Sequence, residues 1–169
     1  DYVATGSPSM DRRKEILRLS KARLKELLIS EGLDDTFNVA EGGHIGNLAP
    51  IPFIRVFDPA HSPTATNGFY VVYLFAADGS RLYVSLNQGT SVYDENGDWH
   101  PDPNFEAIRN RASAARASLQ SWETRATSEG LVQIDLGLAG RGLSGQSLKR
   151  ATNYEHGNIL SYEYSLGDI

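Results

Sequence analysis

An Asp-Gly pair at residues 78 and 79 separates two strand-forming runs, 69–76 and 81–87. Such a pair supplies the positive backbone angles of a two-residue hairpin turn, whose twist suits the strands on either side. Antiparallel pairing of these runs follows, and residues 53–57 add a third strand-like run upstream. Residues 69–75 are apolar at nearly every position, which predicts a strand covered on both faces. In the next run Arg81, Tyr83, Ser85 and Asn87 alternate with Leu82, Val84 and Leu86, the pattern of a strand wetted on its polar side. Residues 131–138 alternate as a further strand.

Helical spacing dominates elsewhere. Ile16, Leu17, Leu24, Leu27 and Leu28 recur on one stripe with Leu19 at its edge, and Gly32 suits the C-terminal stop of a helix over 10–31. Arg12, Arg13, Lys14, Arg18, Lys21, Arg23 and Lys25 fall mostly on its other face, either as a solvated surface or as phosphate contacts. Asp102-Pro103 offers an N-cap followed by proline at the first helical position. Phe105, Ile108, Ala112, Ala115, Leu119 and Trp122 then step by three and four, predicting an amphipathic helix over 103–125. Residues 34–52 turn repeatedly, 94–103 form a polar loop, 137–147 are glycine-rich, and 148–164 are partly helical. The fold class expected is α+β: a twisted, mainly antiparallel sheet packed by two longer helices. A polar arm, residues 1–9, precedes a single domain over 10–169.

A chain of 169 residues buries roughly 70% of its unfolded surface as one domain. No cysteine is present, which excludes disulfides, thiolate metal sites and cysteine nucleophiles, and fits a reducing cytoplasm. The longest apolar stretch, 69–77, is far too short to span a membrane, and no secretory leader is evident. The net charge of −5 opposes DNA binding only mildly, because the distribution of charge matters more than its sum.

Gly140, Gly142 and Gly145 have the spacing of a dinucleotide fingerprint. The unit that makes that motif work needs a second parallel strand ending in an acid about 20 residues on. Only Glu163 falls near that position, in a tyrosine-rich segment close to the last residue. A flexible turn is the simpler reading, with Ser144, Lys149, Arg150 and backbone amides able to hold a phosphate of a nucleic-acid backbone. The four histidines, His44, His61, His100 and His156, show no paired metal-ligand spacing. No nucleophile elbow and no phosphate-binding loop occurs, and Asn153-Tyr154-Glu155-His156 lacks the partners that a nuclease motif needs. No catalytic residue, metal or cofactor is expected.

His44-Ile45-Gly46-Asn47 precedes Ile51-Pro52-Phe53, and Asn67-Gly68-Phe69-Tyr70 leads into Tyr73-Leu74-Phe75. With Asp78-Gly79 and Leu86-Asn87-Gln88-Gly89, that order and spacing resembles the N-terminal domain of the McrB family, the DNA-reading part of modification-dependent (type IV) restriction systems. Tyr154-Glu155, Ile159 and Tyr162 are similar to its C-terminal signature. The likeness is specific from Gly43 to Gly89, looser to Ile169, and limited to helix pattern before Gly32.

The resemblance implies a domain that binds double-stranded DNA and rotates a modified base out of the stack for inspection. Phe53 and Tyr70 would be the aromatic walls of the base pocket, and Leu74 the apolar contact to the added group. Ile45 takes the wedge position, with Asn47 and Ile51 shaping the loop beside it. His44, Ser62, Thr64, Thr66 and Asn67 would approach the DNA backbone together with Ser144, Lys149 and Arg150. Phe53 stands where the family commonly has tryptophan, which leaves the preferred base open among 5-methylcytosine, hydroxymethylcytosine, N6-methyladenine and bulkier modifications. A nuclease or GTPase domain is expected in cis or in trans, and the chain reads as part of a longer protein. Two rivals remain at this point. One is a nuclease or nucleotide-binding enzyme built on the Gly140 loop, the other a protein-interaction module of a defence assembly.

Overall fold

The computed structural model describes residues 8–42, 51–119 and 130–165. Five strands form one antiparallel sheet in the order β1-β2-β3-β4-β7: β1 (Asn38–Gly42), β2 (Phe53–Phe57), β3 (Phe69–Phe75), β4 (Arg81–Gln88) and β7 (Leu160–Ser165). A separate two-stranded hairpin joins β5 (Ser91–Tyr93) to β6 (Trp99–Pro101). Helix α1 (Pro8–Ser30) lies against β1 and β2. On the opposite face sits α3 (Gly145–Gly157), and α2 (Phe105–Leu119) packs on α3. This is the α+β architecture with an antiparallel sheet that the residue pattern predicts.

The β3–β4 hairpin forms at Asp78-Gly79 as expected, but through a four-residue loop, 77–80, closed by the Ala76 amide on Arg81 O, in which Asp78 does not take a positive φ. Gly79 adopts φ +74, its amide bonds to Ala76 O at 2.9 Å, and the Asp78 carboxylate accepts from the Ser80 amide and hydroxyl. Burial of the two strands, however, departs from expectation. Along β3, Tyr70, Val72 and Leu74 are buried while Phe69 and Val71 are exposed, so only one face is fully covered. Along β4 the polar parity is the inward one: Tyr83, Ser85 and Asn87 are sealed, whereas Leu82, Val84 and Leu86 are half-buried. Polar residues can occupy that interior because each finds partners. Ser85 Oγ donates to Asn158 Oδ1 at 2.7 Å, and Asn87 Nδ2 donates to Ser85 Oγ and Tyr154 O. Gln88 Nε2 reaches Ile108 O at 3.0 Å while its Oε1 accepts from Arg111.

Two apolar clusters flank the sheet. Ile51, Tyr70, Val72, Leu74, Tyr83, Ile134, Leu136 and Ala151 fill the α3 side. Leu17, Val39 and Ile54, with Leu24 and Leu28, fill the α1 side. Only part of the anticipated α1 stripe is used, since Ile16, Leu19 and Leu27 stay exposed. Helix α1 begins at Pro8, two residues before the predicted start, and takes in the end of the expected arm. The start of α2 is also displaced. Asn104, not Asp102, accepts the Ala107 amide, and buried Asp102 instead holds the Asn104 amide. Trp122 and the last turns anticipated for that helix lie outside the described residues.

Three further segments differ from expectation. The turn-rich 34–52 stretch contains β1, which pairs along its whole length with β2. The polar 94–103 loop contains β6, paired through Tyr93 and Trp99. Residues 131–138 make no strand: Leu131 forms a single bridge to Ser161, and the rest has no ladder partner, with Leu136 bonded to Ala77 and Glu155. The 148–164 segment is helix and then strand.

Candidate nucleic-acid interface

The face of the sheet under α3 gathers the aromatic residues. Strand alternation puts Phe53, Arg55 and Phe57 of β2 on that face with Tyr70, Val72 and Leu74 of β3. Phe53 stands directly across from Leu74, and Arg55 across from Val72. Phe53 is half-buried, and its ring lies so close over Gly42 that any side chain there would collide with it at 2.3 Å. Tyr154 on α3 completes the cluster, with its ring centroid 5.9 Å from that of Phe53 at a 52° tilt. Burial pushes both the Tyr70 and the Tyr154 phenols upward, so each is a neutral hydroxyl over the physiological range.

The aromatic pair of the sequence expectation is placed less simply. Tyr70 and Leu74 are four residues apart on β3, roughly 13 Å along the strand. Phe53, level with Leu74, is therefore offset from Tyr70 by a similar distance, and Arg55 stands between them on the same face. Tyr70 and Leu74 are also sealed, at 4% and 0% exposure. In this closed arrangement the two rings do not form opposite sides of an open slot. Ile51 belongs to the same core at 1% exposure. His44, Ile45 and Asn47, the loop and wedge positions, lie outside the described residues.

Residues 58–68 fold as a strap across Tyr70. The Tyr70 hydroxyl lies 3.0 Å from Ala65 O and 3.1 Å from Gln88 O, and its one proton serves either carbonyl. Ser62 Oγ donates to Asn67 O at 2.8 Å, and Arg55 donates to Ser62 O and Pro63 O. Gly68, at φ +78, and Gly89 let backbone approach backbone, because a Cβ at Gly89 would meet Thr66 O at 2.3 Å. Among the expected backbone contacts, Thr64 and Asn67 are exposed on the strap and Thr66 is half-exposed, its hydroxyl 2.7 Å from that of Thr64. Ser62 differs. It is fully buried with its hydroxyl engaged inside the strap, so it holds the loop and presents nothing outward.

The glycine-rich segment before α3 is a series of turns. Gly137, Gly140, Gly142 and Gly145 all have positive φ, which explains their recurrence without a nucleotide. An antiparallel sheet and the lack of a strand over 131–138 remove the setting that a dinucleotide fingerprint requires. Ser144, Lys149 and Arg150 are exposed around the start of α3. Arg150 lies one turn from Tyr154 and places its guanidinium 4.4 Å from the Trp99 ring. This links the aromatic cluster to the β5–β6 hairpin, where Tyr93 and Trp99 are exposed. On α1 the charge is partly internal, with Arg18 on Glu15, Arg23 on Glu26 and Lys21 near Glu41.

Two residues of this cluster, Arg55 and Tyr154, are not among the expected pocket residues, although Tyr154 stands in the C-terminal signature. Arg55 carries a readable signal: it is the one charge in the 53–57 run and shares inward parity with Phe53 and Phe57. Tyr154 gives no such sign, since only the docking of α3 brings it to Phe53. Among the described residues no group of His, Asp or Glu is placed to hold a metal, and no helix is long and apolar enough to cross a membrane. No curated protein and no solved structure matches the chain. A family model described as MrcB-like, N-terminal domain, matches residues 2–169.

Proposed function

The chain belongs to the MrcB-like N-terminal domain family, and on that premise we propose that it is the DNA-binding targeting domain of a modification-dependent restriction system, reading a modified base by flipping it. The match over residues 2–169 carries this reading. The aromatic cluster of Phe53, Tyr70 and Tyr154 beside Leu74 supports it chemically, since an extruded base needs flat apolar surfaces to replace its lost stacking. Phe53, half-buried at the end of β2, is the wall a base meets first. Tyr70 and Leu74 line the floor, and Ile45, Asn47 and Ile51 form the neighbouring loop and wedge. Admission of the base requires two things to shift: Arg55, which follows Phe53 on this face of β2, and the strap that it bonds, which closes over Tyr70. Thr64, Thr66 and Asn67 on the strap, His44 beyond β1, and Ser144, Lys149 and Arg150 at α3 contact the phosphate backbone. Catalysis belongs to a nuclease or GTPase domain in cis or in trans.

Burying one methyl is worth about 1 kcal/mol, so methyl recognition alone yields roughly fivefold selectivity. Fluorescence titration of duplexes carrying 5-methylcytosine, N6-methyladenine or no modification tests the reading. Tighter binding to one modified duplex is expected, and Phe53→Ala should bring that preference to near unity in a protein that still folds. Phe53 is a cleaner probe than Tyr70, whose removal opens a cavity in the core. Equal affinity of the unaltered protein for all three duplexes would refute modified-base recognition.

A further inference from the structure

Arg55 is a buried cation, at 6% residue exposure, with no carboxylate partner among the described residues. Its acceptors are neutral and distant: Ser62 O at 3.2 Å, Ser62 Oγ at 3.4 Å and Pro63 O at 3.4 Å. Charge-assisted hydrogen bonds of a guanidinium normally close to about 2.8 Å. The planar head rests 3.6 Å from the centroid of Phe57, with Tyr70 at 5.6 Å. The nearest acid of the strap, Asp58, is committed elsewhere, to His61 Nδ1 at 2.7 Å and the Ala60 amide at 2.8 Å. Burying a charge without a partner costs several kcal/mol, and a sequence that needed only packing here would place an apolar residue. Arg55 is thus held just beneath the strap by long bonds to neutral acceptors and by ring faces, with no anionic partner among the described residues.

Building on the DNA-binding reading, we propose that Arg55 binds a phosphodiester of the extruded nucleotide, exchanging the Ser62 and Pro63 carbonyls for phosphate oxygens. A guanidinium fork matches two phosphate oxygens, and the phosphate supplies the missing negative charge. The exposed Thr64 hydroxyl and the Thr66 hydroxyl beside it sit on the same strap and complete the anion's surroundings. Turning outward, the side chain also leaves the Phe57 and Tyr70 rings and releases the strap that closes over Tyr70, so phosphate capture and admission of the base become one event. The positive charge concealed inside a chain of net charge −5 then becomes available only at the site.

Salt dependence separates this role from strap-holding. Each phosphate neutralised contributes about 0.9 to the slope of log affinity against log salt. Arg55→Gln should weaken binding to modified and unmodified duplexes alike by about tenfold at 0.1 M salt and flatten the slope by roughly one. Arg55→Lys, which keeps the charge, should keep the slope. If Arg55 only tied down the strap, Arg55→Gln would lower the melting temperature while the slope stayed at the wild-type value, and that result overturns the proposal. Should Arg55→Gln not fold, Thr64→Glu on the exposed strap gives the second reading. It should weaken both duplexes about tenfold, and wild-type affinity there also overturns the proposal. Failure of the unaltered protein to bind any duplex sinks the DNA-binding reading itself. An unchanged slope in a protein that binds sinks only the role of Arg55.

Discussion

On the sheet face beneath α3, Ser85 and Asn87 are sealed from solvent and fully engaged with Asn158, Tyr154 and Gln88, while on the other face Leu82, Val84 and Leu86 of the same strand are only half-covered. The first face has two helices stacked over it. The second is covered by α1 mainly at β1 and β2, and Val71 and Tyr162 are open to solvent. The contrast teaches that alternation states which residues share a face but not which face becomes interior. A polar parity is admitted to the core when each group finds a partner, and an apolar parity stays outside when no helix reaches it.

The largest test of this contrast sets two neighbouring alanines against each other. Asn87→Ala removes the side-chain partner of Tyr154 O and of the Gln88 amide and leaves Ser85 Oγ with Asn158 alone, and should cost about 3 kcal/mol in chemical denaturation. Leu86→Ala, on the half-covered face, should cost about 1 kcal/mol. A leucine deletion as damaging as the asparagine deletion would reverse the assignment of the two faces.

Next in size is Tyr70→Phe, which keeps the ring and removes the hydroxyl that ties the strap at Ala65 and the end of β4 at Gln88. Stability should fall by about 1–2 kcal/mol, and amide hydrogen exchange should quicken in the strap ahead of the rest of the sheet. Uniform exchange across both regions would show that the strap is not a separate unit.

The smallest effect concerns pH. His156 is held below its ordinary pKa, first by burial and then by Arg109, and its ring packs 4.8 Å from Phe105. Below pH 6.5 the unfolded chain takes up this proton more readily than the folded one, so its contribution to stability is lost as pH falls from about 6.5 toward the lower folded value. Glu155, raised chiefly by burial, acts in the opposite sense: its contribution is lost as pH rises above its unfolded value. Comparison of His156→Phe with wild type cancels that shared background. The variant's melting temperature should decline less between pH 7 and pH 5, and identical profiles would remove His156 from the account.

Much of the fold is legible without coordinates. Asp78-Gly79 sets the β3–β4 hairpin because a left-handed turn needs glycine, and the landmarks from Gly43 to Gly89 identify the family. The 131–138 segment misleads because alternation is equally compatible with a segment that packs Ile134 and Leu136 inward without a ladder partner. The strand β1 is hidden because Asn38–Gly42 lacks strand-forming character of its own and exists by pairing with β2.

Local chemistry along the chain therefore determines the turns, the helix over residues 10–31, the antiparallel class and the family. Those features depend on near neighbours and on backbone angles that few residue types accept. Only the tertiary structure decides that Asn87 is interior, that Ser62 is a tie, that Tyr154 meets Phe53, and that Arg55 lies beneath the strap with no carboxylate partner among the described residues. Burial and partnership are properties of what packs across from a residue, and α3, which supplies them, arrives from about a hundred residues farther along the chain.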